Sequence, residues 1–137
     1  MKDLLNKLEA KQNMAYAYIR IFLGMALAIR GVILISNPDK MSVLVSEEHM
    51  YLGYAVVAMV HLVGGVFLAI GFYPRLASLL LIPVLLGAVF VVHAGEGLMT
   101  AGQSLELAVM VLFLLVVYAV FGPGPLAITR NTVLDQD

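Results

Sequence analysis

The sequence predicts an all-α integral membrane protein, a four-helix bundle that crosses the bilayer four times with its N and C termini in the cytoplasm. Three observations lead there. Hydrophobic residues make up 62% of the 137, and the mean hydropathy is +0.99, an apolar excess over a soluble domain that only lipid can solvate. Charged residues are 12% of the chain and avoid four long apolar runs, as expected where charge in hydrocarbon is costly. Those runs, residues 15–35, 50–72, 76–92 and 105–121, each approach the roughly 17–25 residues that a helix needs to span the hydrocarbon core.

The elements follow in order. Residues 1–14 carry Lys2, Lys7 and Lys11 with Leu4, Leu5 and Leu8 between them, the pattern of a short amphipathic helix at the membrane surface. A cleavable signal peptide fits less well, because Arg20 and Arg30 interrupt the first apolar run and three more follow. Residues 15–128 form the four-helix domain. Ser36, Asn37, Pro38 and Asp39 end its first run, and Tyr73, Pro74 and Arg75 make a tight hairpin between the second and third. Gly95, Gly97 and Gly102 break the third connection, and Gly122, Pro123, Gly124 and Pro125 stop the fourth before a tail at 129–137. Pro83 inside the third run predicts a kink that frees a backbone carbonyl.

Counting Lys and Arg sets the orientation. Lys2, Lys7, Lys11, Arg20, Arg75 and Arg130 lie on one side and Lys40 alone on the other, which places both termini inside. Asp39, Glu47, Glu48, His49 and Glu96 then face out, and the expected location is a bacterial or archaeal plasma membrane. With no Trp, an interfacial aromatic belt falls to Tyr16, Tyr18, Tyr51, Tyr54, Tyr73 and Tyr118. At 100° per residue, Arg20, Gly24, Leu27 and Gly31 share one helix face, and Gly53, Val57, Val60, Gly64, Leu68 and Gly71 share another. Such small-residue stripes let helices approach closely in lipid, so Gly24, Gly31, Gly53, Gly64 and Gly71 are read as packing positions.

Several chemistries are excluded. The chain has no cysteine, which removes a disulfide relay, Cys-ligated zinc or iron–sulfur clusters and attached c-type haem. No basic stripe with interleaved aromatics supports nucleic-acid binding, and no phosphate loop, dinucleotide fingerprint or nucleophile–base arrangement appears.

The informative residues are the ionisable ones within the runs. Arg20 lies about one turn inside the first and is expected to snorkel to the headgroups, the alternative being an internal contact. Arg30 lies roughly 8 Å short of the outer end of the same run at 1.5 Å per residue and calls for a partner; Glu106, at a comparable depth in the fourth run, is one. A structural Arg30–Glu106 pair is one reading. The other is a polar pocket of Arg30, His93, Glu96 and Glu106, with His61 nearer the midplane, open to the outer side and suited to a proton, an anion or a quinone head group. His93 and Glu96 have the spacing of bundle metal ligands, but no second helix repeats it, and the depths of His61 and His93 match one haem poorly; no metal is assigned.

Arg20 and Gly24 followed by Gly31, then Gly64-Gly65, Gly71, Arg75 and His93, then Glu106 after Gly102, and Gly122-Pro123-Gly124-Pro125-Leu126 at the end, together resemble the DoxX family of small four-span membrane proteins, from about Ala15 to Ile128. The chain departs from the family's usual residues at Arg30, Leu34 and His61. The resemblance implies a place beside membrane redox chemistry, since the family is associated with thiosulfate:quinone oxidation and oxidoreductase complexes. The expected function is a non-catalytic membrane subunit of a quinone-linked oxidoreductase, anchoring a membrane or peripheral redox protein and contributing a quinone or proton site. The alternative is a scaffold or assembly factor acting through its glycine faces. Beyond the bilayer and such a partner, a second copy of the chain is a further candidate partner, and quinone is the one cofactor implied.

Overall fold

The computed structural model describes residues 1–37, 48–93 and 104–128. Four helices make up the described chain: α1 (Lys2–Ser36), α2 (Glu48–Ile70), α3 (Pro74–Gly87), which runs on as a π-helical turn (Ala88–His93), and α4 (Ser104–Phe121). Among the described residues there is no strand.

The 35 residues of α1 extend about 50 Å at 1.5 Å each, well beyond a hydrocarbon core of about 30 Å. The segment 1–14, expected as a separate surface element, is instead continuous with the apolar helix. The reason is local: no Gly or Pro stands before Gly24, and Leu4, Leu5, Lys7, Glu9, Ala10, Lys11 and Gln12 are all good helix formers. At the other end Asn37 closes α1, its backbone N–H and its side-chain amide both donating to the Ile33 carbonyl, at 3.1 and 3.2 Å.

The α2–α3 connection is a capped reversal. Gly71 takes the left-handed conformation at φ +74°, its N–H donates to Leu68 O, and that of Phe72 reaches back to Phe67 O, the paired bonds of a Schellman motif. The rings of Phe67, Phe72 and Tyr73 pack edge to face across this cap. Pro74 then starts α3 at its first turn, where a missing N–H costs nothing. Pro83 lies inside α3 and withholds the N–H that the Leu79 carbonyl would otherwise accept, yet the segment stays helical through residue 87 before passing into the π-helical turn.

Each helix packs chiefly on its chain neighbours, α1 on α2, α2 on α3 and α3 on α4. Two adjacent glycines let α2 serve two neighbours. A Cβ on Gly65 would lie 2.8 Å from Gly24 O and 3.0 Å from Ala28 Cα on α1, whereas one on Gly64 would meet Leu81 of α3 at 3.0 Å. Gly31 adds a second close approach to α1, against Leu62. The buried residues of α2 are Tyr54, Ala58, His61, Gly64, Gly65 and Leu68: Gly64 and Leu68 lie on the predicted face, and Tyr54, Ala58, His61 and Gly65 one residue round from it. Gly53, predicted as a packing position, is exposed, with nothing described within 4 Å of where its Cβ would stand.

Leu23, Leu27, Leu68, Leu81, Leu85 and Leu115 fill the core. Outside it, Phe22, Met59, Phe90 and Phe113 are all more than half exposed, an apolar exterior that hydrocarbon solvates and water does not. Lys2–Ser36 and Leu52–Ile70 are long and apolar enough to cross a membrane, while Pro74–Phe90 and Leu105–Phe121 are shorter apolar helices.

Alanine substitution separates the two kinds of glycine. Gly53→Ala should leave the melting temperature in detergent unchanged or raise it, since Ala gains about 1 kcal/mol of helix propensity. Gly65→Ala should lower it, because a methyl there meets backbone and overpacking costs about 1–3 kcal/mol. Equal shifts would show that the α1–α2 contact is not the tight one described.

Candidate functional site

Polar groups gather inside the bundle at two places. The first is the end where the α2–α3 turn meets the chain leaving α4. Arg20 on α1 is completely buried there. Its Nη1 donates to the carbonyls of Pro123 and, at 3.4 Å, Pro125, and its Nη2 donates to Leu126 O at 2.9 Å. Pro123 and Pro125 carry no N–H, so the Gly122–Leu126 loop has more acceptors than donors, and a guanidinium offers five donors and no acceptor.

Loop conformation makes this fit possible. Gly122, Gly124 and Leu126 all have positive φ. Gly124 lies under the Tyr16 ring and Gly122 under the Arg75 guanidinium, whose Nε is 3.2 Å from where a Cβ would stand, so neither position has room for a side chain. Tyr16 Oη donates to Gly122 O at 3.0 Å, and Tyr118 Oη donates to Tyr16 O at 2.8 Å. The two rings stack at 4.7 Å, joining α1 to α4. Arg20 thus takes the internal alternative to snorkelling: it is completely buried, and loop carbonyls take all the hydrogen bonds it makes among the described residues.

The same contacts correct the aromatic belt. Tyr18 and Tyr73 are exposed, but Tyr54 and Tyr118 are buried, and the hydroxyls of Tyr16, Tyr54 and Tyr118 are spent on Gly122 O, Leu34 O and Tyr16 O. These three rings are internal ties. In sequence they looked interfacial because each stands near the end of an apolar run.

The second place is His61, 2% exposed on the stripe of α2 that faces α1. Its Nδ1 lies 2.8 Å from Val57 O. A carbonyl only accepts, so Nδ1 carries the proton and the neutral ring holds its lone pair on Nε2. That nitrogen is buried and has no hydrogen-bond partner among the described residues. Arg30 is on α1, the helix on which α2 packs.

Of the predicted pocket, the structure places His61 on α2 and Arg30 on the neighbouring α1. Arg30 is exposed, and no salt bridge joins it to Glu106 among the described residues. Glu106 is half-buried in the first turn of α4 and has an interaction of its own. His93 ends the π-helical turn, which packs on α4; its side chain and Glu96 lie outside the described residues. Sequence reasoning missed Gly65 as the contact to α1 and the Arg20–loop clasp. The Gly-Pro-Gly-Pro run, with its surplus of acceptors, was the available signal for the clasp.

A helical chain with an apolar exterior, internal glycine contacts and a few buried polar groups belongs to the class of membrane proteins. The family model for DoxX matches residues 15–94, more than half of the chain. The chain belongs to the DoxX family, a family of membrane proteins often associated with oxidoreductases. The match covers α1 from Ala15 onward, α2 and α3 and ends before α4, so it includes Arg20 and Arg75 but not the loop they contact. No curated protein and no solved structure matches the chain.

Proposed function

We propose that the chain is a four-span subunit of the plasma membrane, with both termini inside, that anchors a quinone-linked oxidoreductase and supplies a proton site for the quinone head group at His61. The observation that carries the site is the unpartnered Nε2 of a histidine buried among apolar helices. Unpaired polar atoms in such surroundings are costly, and a quinol hydroxyl is a ligand of the right polarity to satisfy this one. Family membership supports the redox setting, and the excess of Lys and Arg at the termini and the α2–α3 turn supports the orientation.

A bound quinone would supply two-electron, two-proton chemistry, with the electrons exchanged at a redox centre of the partner protein. The chain's part is the proton. His61 accepts it at Nε2 while Nδ1–H stays tied to Val57 O, so the ring gains a proton without losing its orientation. Glu106, His93 and Glu96 are the candidates for proton exchange with the outer side, while Arg30 keeps its proton and its charge. Beside His61 in sequence, Val60 lines an apolar groove of about 230 Å³ between α2 and α3, with Met59, Val63, Phe67, Leu76 and Leu80, a lining suited to an isoprenoid tail. The scaffold reading is weakened in one respect: Gly24, Gly31, Gly64 and Gly65 are occupied by contacts within the chain.

Purification from the native membrane in mild detergent should recover a redox enzyme and near-stoichiometric quinone. His61→Leu should then cut quinone-linked electron transfer about tenfold or more, the effect typical of losing a proton-transfer group, at unchanged protein recovery. Full turnover in that variant would remove the site, and recovery of an unrelated membrane client without quinone would favour the scaffold.

The absence of cysteine gives the topology a clean test. An impermeant maleimide should label Ser42→Cys in intact cells and Asn6→Cys or Thr132→Cys only after permeabilisation. Labelling of positions 6 and 132 on opposite sides would rule out an even number of spans.

A further inference from the structure

Among the described residues, three hydrogen-bond donors near the clasped loop have no partner: Arg20 Nε, Arg75 Nε and Ser78 Oγ are all buried and make no hydrogen bond. They are near one another in the fold. Arg75 and Ser78, three residues apart, share a face of α3. Arg75 lies against Gly122, while Arg20 bonds the next residue, Pro123, and its Nη2 is 3.1 Å from where a Gly71 Cβ would stand, just before α3 begins. Ser78, like Arg20, is completely buried.

Charge points the same way. Arg20 and Arg75 bring two positive charges to one end of the bundle, and neither forms an ion pair with a carboxylate among the described residues. Carbonyl dipoles satisfy the Nη atoms of Arg20 without cancelling its charge. The N-terminus of the 14-residue α3 adds partial positive charge beside Arg75. An anion held by both groups would offset their charge and accept from the unmet donors.

We propose that Arg20, Arg75 and Ser78 form a binding site for a phosphate-type oxyanion at this end of the bundle. The chemistry selects the class: a tetrahedral oxyanion presents several acceptor oxygens to donors arriving from different directions, and guanidinium groups bind it through charge-assisted hydrogen bonds. Arg75 is only half-buried and stands in the second position of α3, next to the turn, so the site opens at the bundle end. Both a phospholipid headgroup and inorganic phosphate carry the required group. This site is separate from His61 and does not depend on the quinone reading.

The test uses the full-length protein and variants that leave the Arg20 clasp intact, Arg75→Gln and Ser78→Ala. Wild-type protein reconstituted with phosphatidylglycerol and phosphatidylcholine, then re-extracted in neutral detergent, is examined by native mass spectrometry for retained phosphatidylglycerol. In parallel, melting temperature is followed against inorganic phosphate at ionic strength matched with chloride. Retained phosphatidylglycerol, reduced about tenfold or more in either variant, identifies a lipid headgroup site. A phosphate-specific rise in melting temperature, lost in the variants and without lipid retention, identifies a site for the free oxyanion. Neither response in the wild type, or responses unchanged in both variants, overturns the proposal. Should Arg75→Gln fail to fold, Ser78→Ala alone decides, since it removes one hydroxyl and no charge.

Discussion

A guanidinium inside a helical bundle needs hydrogen-bond acceptors, and both Nη atoms of Arg20 find them in backbone carbonyls. Much of the architecture at that end follows. Carbonyls must turn toward one point, so the loop after α4 takes left-handed conformations at Gly122, Gly124 and Leu126. The ring of Tyr16 and the guanidinium of Arg75 close over the two glycines, and Gly71 makes room for Arg20 and Ala127 on the other side. Since α1 and α4 share few other contacts, the clasp and the Tyr16–Tyr118 stack are what bring the first and last helices together. Hydrogen bonds to a charged donor are worth about 1.5–3 kcal/mol each, a large sum beside the small net stability of a folded chain.

The middle of the bundle depends on α2 in a similar way. Consecutive glycines point about 100° apart on a helix, so Gly64 and Gly65 open two faces at one level, one to α3 and one to α1. That close approach buries the stripe from Tyr54 to Leu68 and with it His61. Val57 O fixes the imidazole's proton on Nδ1, and packing leaves Nε2 without a protein partner. The proton site proposed there is thus a consequence of how α2 packs on α1.

How far the sequence reveals this depends on the kind of information involved. The helices were legible because hydropathy and punctuation are local: the expected 105–121 run differs from α4 by one residue, and the Tyr73-Pro74-Arg75 turn is where α3 begins. The stripe containing Gly53 was misread because small residues mark a face only if a neighbour covers it, and Gly65 rather than Gly53 has that neighbour. Arg20 was misread because depth along a helix does not reveal what lies across from it. Its acceptors are more than a hundred residues away in sequence, carried by backbone carbonyls that every residue has. Arg30 drew attention because it lies within an apolar run, yet it is exposed.

Arg20 and Arg30 stand ten residues apart on one helix, and the account assigns them opposite weights: Arg20 holds the bundle end together and Arg30 does not. The direct measurement is the melting temperature of Arg20→Gln and Arg30→Gln in lipid nanodiscs, beside the wild type. Loss of the clasp should cost Arg20→Gln about 2–5 kcal/mol, seen as a large drop in melting temperature or failure to recover folded protein. Arg30→Gln should stay within about 0.5 kcal/mol of wild type, as exposed substitutions do. A wild-type melt for Arg20→Gln, or an equal loss in both variants, would contradict the central role given to the clasp.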